Sequence, residues 1–212
     1  MAAHDTRMLL LGAVALFEPV NGYQIRRELL SWSVDDWAHL NPGSIYNGLA
    51  TLTKQGFLVR HDLEDGGREV AVYESTAEGR AELERLVTAG LEDVSVVDRK
   101  TFSAAFGLLP LVPPDRALRS LVRRRVALEE VVARLAEPPA PAEAPPHALR
   151  TVVMWLDLAV AELAWLRETI EELKAGRLAL DASTWTPPAD DPGWQMNADR
   201  ERYRALLQAA RA

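Results

Sequence analysis

The stretch that most constrains the fold lies at residues 43–57, where a short amphipathic helix is closed by Gly56. Ile45, Leu49 and Leu52 recur at helical spacing and predict a buried face. The opposite face carries hydrogen-bonding groups and one positive charge, on Ser44, Tyr46, Asn47, Thr51 and Lys54. Because phosphates repel carboxylates and this face has none, it is suited to a DNA groove.

The segments around this helix predict a winged helix-turn-helix. Two helices precede it, at 6–18 and 22–31, and the acidic segment 33–39 is a loop or short turn. Two strands follow, at 57–62 and 68–75, around a Gly-Gly turn. Three helices followed by a hairpin give the fold class: mainly α, with a small β-hairpin wing.

The rest of the chain is predicted to be helical. The apolar stripes predict helices at 77–98, 102–111, 115–136 and 147–175, and a short final helix at 198–211. The proline-rich stretch 138–146 predicts a stiff, extended linker.

Three regions follow from this pattern. They are a DNA-binding domain at 1–80, a helical dimerisation and effector domain at 81–176, and an extended tail with a short terminal helix at 177–212.

The helix at 147–175 has the most regular periodicity. Its apolar residues alternate in steps of three and four, as in a coiled coil. This seam predicts a dimer interface formed by Leu149, Val152, Leu156, Leu163, Leu166 and Ile170. The alternative is that the seam packs within one protomer.

Composition excludes several classes of function. The chain has no cysteine, which excludes disulfides, thiolate catalysis and cysteine zinc sites. The four histidines are scattered, and no phosphate-cradling glycine motif occurs, so we expect no enzyme, metal or cofactor. No apolar run is long enough to cross a membrane, and the apolar run at 8–17 is interpreted as a core helix rather than a signal peptide. We therefore expect a cytoplasmic protein without membrane contact.

Charge argues against a strongly basic DNA-binding surface. The net charge is −7, and residues 1–80 hold seven basic and eleven acidic side chains, a net of −4. From residue 40 to residue 59, however, there is one lysine and no acid. The distribution of charge, more than its sum, decides whether phosphates are attracted.

Several short motifs together resemble the PadR family of bacterial transcriptional regulators. The motifs are Leu11-Gly12, Gly22-Tyr23-Gln24-Ile25, Ser44-Ile45-Tyr46, Leu49-Ala50-Thr51-Leu52, Gly56-Phe57-Leu58-Val59, Arg68, Tyr73 and Thr76-Ala77-Glu78-Gly79. The sequence departs from the family where Asn47 replaces a usual proline, and where the wing turn is acidic.

The resemblance implies a homodimer paired through C-terminal helices. Each third helix would enter the major groove of double-stranded DNA at a near-palindromic operator, usually for repression. A small-molecule effector, aromatic or apolar, would release the DNA.

Individual residues have competing interpretations. Tyr46 and Lys54 are candidate phosphate contacts, and Asn47 and Thr51 could contact base edges, against a merely solvated helix face. Ser44 could cap the helix or bind a phosphate. Arg68 is the candidate contact from the wing, unless it pairs with Glu64 or Asp65. Tyr23 is assigned to the core, and the arginines at 123–125 to a solvated face.

Four tryptophans are candidates for an effector pocket: Trp32, Trp37, Trp155 and Trp165. Aromatic side chains at helical spacing are more often core or interface anchors, so that interpretation stays open beside the pocket. The chain as a whole also has an alternative, a winged-helix module that binds a protein and not DNA.

Overall fold

The computed structural model describes residues 2–38, 41–137, 145–180, 186, 188–191 and 193–211. The described residues divide into two compact units, Met1–Val87 with Ser183–Ala212, and Thr88–Ala182. We call them the head unit and the helical unit. Of the tail that was predicted at 177–212, the described residues up to 180 belong to the helical unit and those from 186 onward belong to the head unit.

The head unit contains a winged helix-turn-helix. Its elements are α1 (Ala2–Phe17), β1 (Val20–Asn21), α2 (Gly22–Ser31), α3 (Val34–Trp37), α4 (Pro42–Lys54), β2 (Leu58–Asp65), β3 (Arg68–Ser75), α5 (Ala77–Glu92) and, far along the chain, α9 (Gly193–Arg211). The strands form an antiparallel sheet in the order β1-β3-β2. Helix α5 continues into the second unit.

Local sequence explains where these helices begin. The Asn21 side chain accepts from the Gln24 amide, and the Gln24 side chain accepts from the Asn21 amide, which is a capping box. Asn41 caps α4 by accepting from the Ser44 amide, with Pro42 in the first turn. The sequence placed a serine near this cap, whereas the capping side chain is Asn41.

The head core is formed by α1 and the inner faces of α2, α4 and the sheet. Leu9, Val14, Ile25, Leu49 and Val72 are each at most 2% exposed. Arg7 extends from α1 and donates to Gln55 and Glu82, at 3.0 and 3.2 Å. These bonds join α1 to the end of α4 and to α5.

The C-terminal helix packs on the sheet. Tyr203 and Leu207 of α9 form an apolar cluster with Leu63 of β2 and Val72 of β3. The Tyr203 hydroxyl accepts from the side-chain Nδ2 of Asn21 at 2.9 Å, and Arg200 donates to the carbonyls that end α1. Helix α9 begins five residues before the predicted start and is a structural part of the head unit.

The helical unit is built around a helical hairpin. Its elements are α6 (Lys100–Gly107), a 3-10 turn (Leu109–Leu111), α7 (Pro114–Ala136) and α8 (Pro146–Lys174). Leu128 of α7 packs against Ala159 and Leu163 of α8. Most of the predicted linker, residues 138–144, lies outside the described residues, and its last residue, Pro146, begins α8.

Some boundaries differ from those predicted. Helix α1 begins at Ala2 rather than residue 6, β2 extends to Asp65 rather than 62, and α5 ends at Glu92 rather than 98. The apolar pattern continued past Glu92 because Val94 packs against the α7–α8 cluster from a non-helical segment. Burial alone therefore does not distinguish a helix from a loop that covers a core.

The prediction of a solvated arginine cluster at 123–125 is wrong for Arg124. Its side chain is 1% exposed and donates to Glu162 of α8, with Nε 2.9 Å from Oε1. The guanidinium also donates to the backbone carbonyl of Asp93 and lies 3.8 Å from the Phe102 ring centroid. The buried charge is compensated by a carboxylate, a carbonyl and an aromatic face.

Candidate nucleic-acid interface

Helix α4 has the two faces that the sequence predicted. Ile45, Leu49 and Leu52 are at most 3% exposed and face the core. On the outer face Asn47, Thr51 and Lys54 are exposed, Tyr46 is 44% exposed and Ser44 is partly exposed. No acidic residue occurs anywhere in α4.

The polar groups on this face are not equivalent. The Ser44 hydroxyl donates to the Asn41 carbonyl at 2.7 Å, and the Thr51 hydroxyl donates to the Asn47 carbonyl at 2.8 Å. Each hydroxyl keeps lone pairs that can accept from a base amino group, but its proton is already used. Phosphates only accept, so these two residues fit base edges better than phosphates.

Asn47 is the most versatile group on the face. Its side-chain amide has no hydrogen-bond partner among the described residues. It can therefore donate and accept at once, which is the pattern that matches adenine in the major groove.

Tyr46 is held by its contact with α2. A Cβ atom on Gly22 would lie 2.9 Å from Tyr46 Cε1, so the ring lies directly against the glycine backbone. Tyr23, the next residue, was predicted to be buried, but its side chain is 62% exposed. Gly22, against which the Tyr46 ring lies, is thus followed by a second exposed tyrosine, which sequence periodicity missed.

The wing is a tight β-hairpin. Gly66 and Gly67 have φ angles of +58° and +79°, which glycine adopts without strain and which a two-residue hairpin of this twist requires. Directly after the turn, Arg68 is exposed, and Asp65 is its partner in the strand register. The wing therefore presents one basic residue at its tip.

The acids of the wing are partly compensated. Asp62 pairs with Arg60 at 2.7 Å, and Asp65 pairs with Arg202 of α9 at 2.8 Å. The hydrogen bond to Asp65 is the main cause that raises the pKa of the Arg202 guanidinium above its usual value. Glu64 and Glu69 face each other across the hairpin and are exposed.

The candidate effector residues fall into two groups. In the head unit, the Trp37 indole donates to the Trp32 carbonyl at 2.9 Å, and the Trp32 ring lies 6.3 Å from Phe17. In the helical unit, Trp165 is 41% exposed and contacts Phe106 edge to face, with centroids 5.0 Å apart. Trp155 is half-buried on α8.

Trp165 lines an open cleft of about 400 Å³ in the helical unit. The lining residues are Arg99, Phe102, Ser103, Phe106, Leu158, Glu162 and Trp165. Arg99 donates to Glu162 at 2.8 Å. Three aromatic rings beside a polar wall could hold a flat molecule with a polar end.

The predicted dimer seam divides along α8. Leu163, Leu166 and Ile170 are at most 7% exposed within the single chain, and Leu149, Val152 and Leu156 are half-buried. Another stripe of the same helix is uncovered, with Met154 at 50%, Leu158 at 43% and Trp165 at 41% exposure. Leu163, Leu166 and Ile170 are therefore shielded from water within one chain, without a second copy.

Comparison with known proteins agrees with this geometry. Residues 10–85 match the model of a family described as "Transcriptional regulator PadR-like family". Residues 10–85 are a PadR-like domain. The match covers α2, α4 and the wing, and it confirms the resemblance predicted from the sequence. The family is one of transcriptional regulators, not of enzymes.

The solved structures that match this chain include PadR-family proteins. Bacillus subtilis PadR in complex with operator DNA is 18% identical, with a TM-score of 0.32 over 79% of this chain and 98% of that chain. The same protein in complex with p-coumaric acid is 17% identical, with a TM-score of 0.29 over 80% and 97%. A PadR-like transcriptional regulator from Bacillus cereus is 19% identical, with a TM-score of 0.32 over 81% and 99%. No curated protein matches the sequence significantly.

Membrane-spanning helices and clusters of metal ligands are both missing from the described part of the chain. Over the residues that the structure describes, no helix has the length and apolar character needed to cross a membrane. The same residues contain no group of three or more potential metal ligands.

Proposed function

We propose that this protein is a sequence-specific transcriptional repressor that binds double-stranded DNA as a homodimer in the cytoplasm. The observation that carries the proposal is the outer face of α4, which is exposed, rich in hydrogen-bonding groups and free of acids. Helix α4 would enter the major groove, while the wing tip with Arg68 would contact the backbone. Two copies would bind the two halves of a near-palindromic operator.

The division of roles follows from the chemistry of each side chain. Asn47 and Thr51 would contact base edges, since they can accept from base amino groups. Tyr46, Lys54 and Arg68 would bind phosphates, and so fix the register without reading sequence. Ser44 would contact DNA at the start of α4, where its hydroxyl oxygen can still accept a hydrogen bond.

Pairing of two copies would use the uncovered stripe of α8. Met154, Leu158 and Trp165 lie on one side of the helix, and all are at least 41% exposed. Large exposed apolar side chains in one row indicate an interaction surface. Leu149, Val152 and Leu156 are half-buried on the opposite side of α8 from this stripe, so their role in pairing stays a prediction.

Effector control would use the aromatic cleft beside Trp165. B. subtilis PadR has been crystallised with p-coumaric acid, an aromatic acid. A small aromatic molecule would fit against Phe102, Phe106 and Trp165. The molecule would release DNA if it binds more tightly to a conformation of the repressor that cannot bind DNA. The ratio of its affinities for the two conformations sets how much DNA binding is weakened. The role of Trp32, Trp37 and Trp155 in effector binding stays a prediction.

DNA binding can be tested by titrating the protein against the region upstream of its own gene. We expect specific binding with a Kd of about 10 nM or tighter, weakening steeply as salt rises. Binding at micromolar concentration or weaker, without sequence preference, would support the alternative of a winged-helix protein-interaction module.

Replacing Lys54 with alanine should weaken binding to every DNA sequence by a similar factor. The slope of log affinity against log salt should fall by about one per protomer, since one phosphate contact is lost. Arg204→Ala is a matched control, because Arg204 pairs only with Glu201 on its own helix among the described residues. An unchanged salt slope in Lys54→Ala would remove Lys54 from the interface.

The double variant Met154→Glu, Leu158→Glu should be monomeric, because two carboxylates would be buried at the proposed interface. Sedimentation velocity measures the mass directly. Val126→Glu is the control, since Val126 is 45% exposed on α7 and lies outside the stripe. A double variant that keeps the mass of two chains would show that pairing uses another surface.

A further inference from the structure

The tip of the wing holds an acid and a base that face each other. Asp65 and Arg68 are partners in the strand register, on either side of the Gly66–Gly67 turn. Side chains at such paired positions are close enough to interact across the hairpin. A salt bridge between them would be the expected arrangement on an isolated hairpin.

The structure has a different arrangement, because α9 supplies a competing arginine. Arg202 donates to both oxygens of Asp65, with Nε at 2.9 and 3.1 Å and Nη2 at 2.8 Å. This is a bidentate pair, the strongest geometry between these two groups. Arg68 is exposed and makes no ion pair with any described residue.

Arg202 is held in place by more than this bond. Asp199, one turn earlier on α9, accepts from Arg202 at 2.9 Å and from Gln24 of α2 at 2.8 Å. The adjacent Tyr203 is 2% exposed and packs on Leu63 and Val72 under the hairpin. The docking of α9 therefore fixes Arg202 opposite Asp65 before any DNA is present.

We propose that Arg202 is a positioning residue for DNA binding, which occupies Asp65 and so keeps Arg68 available for a phosphate. The inference rests on the proposed function. Its consequence is that the C-terminal helix is a working part of the DNA-binding head, although residues beyond 85 lie outside the PadR-like domain. Helix α9 thereby neutralises Asp65, the acid that faces Arg68 across the hairpin.

Loss of Arg202 should weaken DNA binding moderately, and the size of the loss should depend on whether Arg68 is present. The freed Asp65 carboxylate would compete with phosphate for Arg68 and would add an uncompensated negative charge at the tip. Exposed ion pairs of this kind are worth up to about fivefold in an equilibrium constant. With two wings in a dimer, we expect Arg202→Ala to weaken DNA binding roughly 10-fold.

The test is a double-mutant cycle on the DNA that the unaltered protein prefers. Arg202→Ala, Arg68→Ala and the double variant are compared by fluorescence anisotropy. We expect each single variant to bind more weakly, and Arg202→Ala to cost a clearly smaller factor in the Arg68→Ala background, where only the uncompensated charge of Asp65 remains. If Arg202→Ala costs the same factor with and without Arg68, or costs nothing, the proposal is overturned.

A second comparison separates charge competition from damage to the fold. Adding Asp65→Asn to Arg202→Ala removes the competing carboxylate and should restore affinity to within about twofold of the unaltered protein. Failure to restore it would contradict the proposal. Arg204→Ala, with the same loss of charge on the same helix, should bind as the unaltered protein does.

Failure of this inference and failure of the proposed function give different results. If the unaltered protein has no sequence-specific affinity for DNA, both are wrong. If it binds DNA and the two arginines act additively, only the role of Arg202 is wrong. The side chain of Arg202 is 46% exposed, so Arg202→Ala should remain folded, which its thermal unfolding curve checks.

Discussion

Replacing Glu162 with leucine is expected to lower the free energy of unfolding by about 3–5 kcal/mol. Leucine has a similar volume, so the change creates little cavity and chiefly removes the charge. Arg124, 1% exposed, would keep its positive charge without a carboxylate partner. The backbone carbonyl of Asp93 and the ring of Phe102 would remain, but neither carries the opposite charge.

The measurement is chemical denaturation at a fixed protein concentration, since pairing of two copies would couple to stability. Glu129→Ala is the matched control. Glu129 pairs with Arg167 across the same two helices, but both side chains are exposed, and such pairs contribute little. A loss in Glu162→Leu no greater than in this control would mean that Arg124 reaches water in solution.

A double variant that removes both charges of the pair tests the same prediction in a second way. Arg124→Met combined with Glu162→Leu removes both charges, and should recover most of the lost stability. Arg99, which also contacts Glu162, is 30% exposed and can be solvated when the carboxylate is gone. A double variant as unstable as Glu162→Leu alone would assign the loss to packing rather than to charge.

Introducing an acid on α4 is expected to abolish specific DNA binding. Thr51→Glu places a carboxylate in the middle of an exposed face that has no acid. Against the phosphates of a groove, an opposed like charge costs several kcal/mol, or at least about a 100-fold loss of affinity. Two copies of α4 would contribute this loss twice.

The control must carry the same net charge. Gln208→Glu changes an exposed side chain on α9 from neutral to acidic with almost no change of shape. It should bind DNA within a few-fold of the unaltered protein, since only long-range repulsion is added. Equal losses in the two variants would mean that total charge, and not the α4 face, limits binding.

The head of the molecule could be predicted well because its signals are local. The apolar spacing in α4, the Gly66–Gly67 turn and the extent of β3 each depend on residues close in sequence, and all three were predicted. The exposed Tyr23 was not, since its burial depends on which side of α2 the neighbouring elements cover.

The failures involve residues that are distant in the chain. Arg124 was predicted to be solvated because its partner, Glu162, lies 38 residues later and the local sequence does not indicate that pairing. The predicted seam on α8 could not be assigned to a partner, because one helix's pattern does not distinguish a neighbouring helix from a second copy. For Leu163 the neighbour is Leu128 of α7, in the same chain.

The docking of α9 on the sheet has a consequence for how the protein is made. Asn21 and Tyr203 are 182 residues apart, so the ribosome exposes β1, the hairpin and α4 long before α9 exists. Until then Leu63 and Val72 lack the apolar side chains that cover them. Contacts so distant in sequence form late, and an incomplete chain keeps an uncovered sheet. We therefore expect nascent chains and C-terminally truncated products to carry an unfinished wing, so that only full translation yields a competent DNA-binding head.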